Sequence, residues 1–70
     1  MKANIKVQKR YVDEKGKLNI EVELFIANSI EIYSAKAYDV KDCIIDIMEQ
    51  ICYKHSRINF DFEPLTKEMK

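Results

Sequence analysis

Seventy residues carrying 12 basic and 12 acidic side chains, with a formal net charge of zero, describe one small domain with no electrostatic drive toward phosphate backbones. A hydrophobic content of 47% suffices for a core and excludes an intrinsically disordered chain. A single glycine excludes a glycine-rich phosphate loop. The absence of any long apolar run leaves neither a membrane span nor a signal peptide to expect.

From the N-terminus, Asn4–Val12 alternates as a strand with Ile5 and Val7 on one face. The polar stretch 13–16 ends in Gly16 and reads as a turn. Leu18–Ile26 gives the clearest alternation, with Leu18, Ile20, Val22, Leu24 and Ile26 on one face and Asn19, Glu21, Glu23 and Phe25 on the other. Keeping Ile5 and Val7 on the face of Val22 and Leu24 sets Lys6 opposite Glu23 and Gln8 opposite Glu21, with Arg10 diagonal to Glu21. The basic first strand is thus neutralised by its neighbour. Ala27–Ser29 is the next turn signal. Ile30–Ala37 reads as a third strand with Ile30 and Ile32 inward, so that Phe25, Tyr33, Ala35 and Ala37 share the outer face.

Asp39–His55 reads as one amphipathic helix. Val40, Cys43, Ile44, Ile47 and Ile51 form its apolar stripe, and Asp39, Asp42, Asp46 and Glu49 lie opposite. Asp39 suits the N-cap, Asp42 the first turn, and Lys54, His55 and Arg57 the C-terminal end of the dipole. Ile45, Met48 and Cys52 widen the apolar arc beyond what one sheet covers, and call for a loop, the chain end or another subunit. Ile58, Phe60 and Phe62 then alternate as a short fourth strand stopped by Pro64. Residues 65–70 read as a frayed or short helical tail beyond a domain spanning 1–64. The order is β-β-β-α-β, an α+β fold in two layers: an antiparallel sheet with the helix on one face.

Chemistry-bearing constellations are sparse. Cys43 and Cys52 stand nine positions apart, half a turn out of phase on one helix, and cannot bridge within the chain. Free thiols suit a reducing cytoplasm, which is the expected location. Cys52 and His55 share a face at metal-ligand spacing, but a closed zinc site needs four ligands and no other Cys or His points there. The single His, His55, has Ser56 beside it, too common a neighbour to mark a nucleophile–base pair. No catalysis, metal or cofactor is therefore expected. Two surfaces remain as candidates for a partner: Ile45, Met48 and Cys52 with the Phe25–Tyr33 patch, and the acidic row Asp39, Asp42, Asp46 and Glu49. A domain this small, without disulfide or metal, commonly gains stability by oligomerising, so a homodimer is expected. Abundant Ile and Lys suggest an AT-rich genome, that of a bacterium or its phage.

Three strands followed by a helix, with IleGluValGluLeu (20–24) in the middle strand and the Asp39–His55 helix after the third, resemble the second half of the ribosome-hibernation (sigma-54 modulation) proteins over about residues 4–57. That resemblance implies ribosomal RNA as a partner. The family helix is basic where this one carries Asp42, Asp46 and Glu49, so no binding residue is carried over. The element order also resembles HicB-type antitoxins, which implies a non-catalytic protein that binds a partner and self-associates. The leading expectation is a protein-binding module (regulator, antitoxin-like protein or phage-encoded inhibitor), and the alternative is a ribosome- or RNA-associated module.

Overall fold

The computed structural model describes residues 3–69. Strands β1 (Ala3–Val12), β2 (Leu18–Ile26) and β3 (Ser29–Ala37) form an antiparallel sheet in the order β1-β2-β3. Helix α1 (Val40–Lys54) packs on one face, and a single turn of helix, α2 (Glu63–Thr66), leads into a 3₁₀ turn at Lys67–Met69. This is the α+β, two-layer arrangement expected. Among the described residues no helix is long and apolar enough to cross a membrane.

The first hairpin is built around Asp13. Its Oδ1 accepts from the backbone N–H groups of Lys15 at 2.9 Å and Lys17 at 3.0 Å, and its Oδ2 accepts from Asn19 Nδ2 at 3.0 Å. The Asn19 bond, followed by those backbone bonds, holds the Asp13 carboxyl below its ordinary value. Gly16 takes φ 82, a left-handed conformation that a side chain would strain. Ile5 faces Leu24 and Lys6 faces Glu23, as the alternation predicts.

The register then shifts between Val7 and Lys9. Gln8 is the extra residue of a bulge, so Lys9, not Gln8, stands opposite Glu21. Arg10 now pairs with Ile20. It therefore lies on the helix-bearing face, where its Nη1 reaches the Glu68 carboxylate and carbonyl, each at 3.3 Å. A bulge leaves no trace in the alternation of a polar strand end, which is why the diagonal Arg10–Glu21 placement fails.

The second hairpin corrects the expected phase of β3. Ile26 pairs with Ser29, leaving a two-residue loop of Ala27 (φ 50) and Asn28 (φ 64). Both central residues at positive φ is the twist a two-residue hairpin needs. A loop one residue shorter than Ala27–Ser29 moves every β3 side chain to the opposite face. Tyr33 and Ala35 consequently face inward, opposite Val22 and Ile20, while Ile30 and Ile32 face solvent.

Asp39 caps α1, its Oδ1 accepting from Lys41 N–H at 2.7 Å. Cys43, Ile44, Ile47 and Ile51 are fully buried against Ile20, Val22 and Leu24. The Cys43 thiol donates to the Leu18 carbonyl at 3.3 Å, and burial raises its pKa.

The fourth strand is not formed. Residues 58–62 pair with no strand; Ile58, Phe60 and Phe62 instead insert side chains at the edge of the core. Phe60 meets His55 edge-on at 5.9 Å and Phe62 at 5.8 Å between centroids. Their alternation serves side-chain packing without a backbone ladder. Pro64 stops nothing: it occupies the first turn of α2, where a missing N–H costs little. Leu65 follows, fully buried within the main core, so the packed body of the fold runs past residue 64.

Candidate functional site

Four polar groups, Glu31, Tyr33, Lys54 and His55, converge on the helix-bearing face at the hairpin end of β3. The two-residue loop turns Glu31 inward, opposite Leu24. There its Oε1 accepts from Tyr33 Oη at 2.6 Å and meets His55 Nε2 at 2.7 Å, while its Oε2 pairs with Lys54 Nζ at 3.1 Å. β3 supplies the first two residues and the last turn of α1 the basic pair. The His55 bond, then the Tyr33 bond, draws the Glu31 carboxyl down to about 2. Burial, followed by the neighbouring carboxylate, pushes the Tyr33 hydroxyl up to about 12. A cavity of about 230 Å³, lined by Ile26, Ala27, Ser29, Glu31, His55 and Ile58, opens beside the cluster.

The outer face of the same hairpin end is apolar. Phe25 pairs with Ile30 across β2 and β3, and Ile32 follows on the same face beside Glu23. They are 37%, 59% and 54% exposed respectively. Asn4, Phe25 and Ile30 with the loop residues line a depression of about 360 Å³ there. Toward the other end this face is charged, with the pairs Lys6–Glu23 and Lys9–Glu21. Ile30 and Ile32 therefore form an apolar corner on an edge strand, adjacent to backbone that pairs with no strand among the described residues.

The sequence-derived candidates separate in three dimensions. Phe25 and Tyr33 do not share a surface: Phe25 faces solvent, and Tyr33, 8% exposed, lies in the core. Ile45 and Cys52 are exposed, and Cys52 is a free thiol. Met48 is half-buried against the core, on a helix that the Lys67–Met69 turn also packs against. The chain end thus supplies part of the cover that the wide apolar arc requires. The acidic row Asp39, Asp42, Asp46 and Glu49 is solvent-exposed. Asp39 is committed to the cap and Asp46 accepts from Gln50 at 3.2 Å.

Glu31 was legible only through the loop length. Read inward, a lone carboxylate on a buried strand face demands cations, and Lys54 and His55 close the helix that follows. The pair resembles the orienting half of a catalytic dyad, but no hydroxyl of Ser or Thr and no thiol among the described residues hydrogen-bonds to the His55 ring. Among the described residues no group of three or more His, Cys, Asp or Glu is placed to hold a metal ion. The arrangement is that of a structural clamp tying the end of α1 to β3. Compared with family models, curated proteins and solved structures, the chain matches none.

Proposed function

We propose that this protein is a non-catalytic binding module that acts by contacting another protein chain and is itself homodimeric. The observation that supports this reading is the solvent-facing corner of Ile30 and Ile32 on the edge strand β3, with Phe25 of the central strand β2 beside them. β-branched residues on an open edge are an association surface unless they are guarded: Lys36 lies further along β3, Gln50 takes only the Ser34 carbonyl, and the inward Glu31 between the two isoleucines is held by Lys54 and His55 of its own chain. Ile45 and Cys52 on α1 offer a smaller second surface. Regulator, antitoxin-like protein and phage-encoded inhibitor are all uses of such a module, acting in the cytoplasm of a bacterium.

The ribosome- or RNA-associated reading draws no support from charge placement. Lys6 stands opposite Glu23, Arg10 pairs with Glu68, and Lys54 pairs with Glu31. An RNA surface gathers such cations on one face without acidic neighbours.

Affinity capture from the native host, with the tagged protein and its Ile30→Lys/Ile32→Lys variant side by side, tests the proposal. The unmodified protein is expected to retain a partner chain, a second copy included, that the folded variant releases. Equal retention by both, or turnover of a substrate that vanishes with His55→Ala, would overturn it.

A further inference from the structure

We propose that β3 pairs antiparallel with β3 of a second copy about a two-fold axis at Ile32, joining two sheets into one of six strands. The inference rests on the binding-module reading above and specifies its self-association.

Gln50 Nε2 donates to the Ser34 carbonyl at 2.9 Å from beside the free edge. That carbonyl therefore points off the sheet. In an antiparallel strand the N–H and C=O of one residue point the same way and alternate along the chain. Ile30 and Ile32 thus direct their backbone groups outward as Ser34 does. The Gln50 contact occupies one lone pair of Ser34 O, and a carbonyl has a second.

Charge then selects the register. Pairing about Glu31 sets that carboxylate against its own copy. Pairing about Tyr33 sets Ile30 against Lys36, and pairing about Ser34 sets Ile32 against Lys36. Pairing about Ile30 overlaps only the strand's beginning. Pairing about Ile32 sets Ile32 on Ile32, Ile30 on Ser34, and Glu31 beside Tyr33, with no like charges opposed. The only charge inside the paired segment, Glu31, is already held by Lys54 and His55 of its own chain. On the outer face Phe25, Ile30 and Ile32 of both copies then form one continuous apolar band.

The test uses the full chain in a Cys52→Ser background. Ile32→Cys, oxidised with diamide, is expected to give a covalent dimer on non-reducing electrophoresis. Ile30→Cys alone is expected to give no covalent dimer, and Ile30→Cys mixed with Ser34→Cys to cross-link. Sedimentation of the unmodified protein at low micromolar concentration is expected to show a dimer, lost in Ile32→Lys with its circular dichroism unchanged; Ile30→Lys is the second variant should Ile32→Lys misfold. A dimer that survives both lysine variants, or cross-links at Ile30 alone, overturns the register at Ile32. A monomer overturns the pairing and the homodimeric part of the reading above, yet leaves its binding part standing if the protein still captures a different chain through the apolar corner.

Discussion

Glu31 and His55, 24 positions apart in sequence, meet at 2.7 Å and fix the end of α1 against the hairpin end of β3. With the carboxyl drawn to about 2 in the folded protein, below its ordinary 4.5, its contribution to stability is present above the unfolded value. It is lost as pH falls through the folded one. The window is therefore acid, between about 4.5 and about 2. Urea unfolding of the unmodified protein and of Glu31→Gln is expected to show a lower midpoint for the variant at neutral pH. The gap should close as pH falls to the bottom of that window. A gap independent of pH would remove the carboxylate from the explanation.

Tyr33 carries the opposite sign. Its hydroxyl, raised from 10.0 to about 12, favours the neutral form in the folded state. Its contribution is complete below about 10 and declines as pH rises toward about 12. Tyr33→Phe is expected to cost about 1 kcal/mol at neutral pH, the worth of one hydrogen bond. It should also blunt the alkaline loss of stability, read by thermal unfolding across that range.

Leu65 is as buried as Ile47, although residues 58–62 before its single helical turn have no regular structure. Leu65→Ala is expected to cost about 2–5 kcal/mol by chemical denaturation, the range for emptying a core leucine site. In a domain of this size that is a large part of total stability. A cost below about 1 kcal/mol, within the range of surface substitutions, would return residues 65–69 to the status of a loose tail.

Where local pattern decides, the fold was legible. The alternation of Leu18–Ile26, the Asp39 cap and the stripe Cys43, Ile44, Ile47 and Ile51 all stand where periodicity and capping put them. Where one residue of register decides, it was not. Reading Ser29 as part of the turn sent Tyr33 outward and Ile32 inward, and hid both the Glu31 clamp and the Ile30–Ile32 corner. Gln8 did the same to Arg10 on a smaller scale. Ile58, Phe60 and Phe62 show a third kind of failure: alternation reports burial of every second side chain, and only a free neighbouring edge converts it into a strand.

The loop that caused the misreading is also the place where the chain is improved most simply. Ala27 holds φ 50 and Asn28 φ 64. Asn tolerates the left-handed region because its short polar side chain bonds locally, whereas an alanine Cβ crowds the following carbonyl there at a cost of about 1–2 kcal/mol. Two-residue hairpin loops with both residues in this region favour Asn-Gly, where the first residue bonds its own backbone and the second has no Cβ to accommodate. The double variant Ala27→Asn/Asn28→Gly keeps the Ile26–Ser29 pairing and relieves strain at both positions. Gly at position 28 returns part of the gain through the freedom it adds to the unfolded chain. The net expected is about 1 kcal/mol of added stability, which for a domain of this length raises the melting temperature by roughly 4–8 °C. Ala27→Val, branched at Cβ, is expected to lower it. If Ala27→Val instead melts with or above the unmodified protein, position 27 is not held at positive φ, the loop is longer than two residues, and the inward placement of Glu31 falls with it.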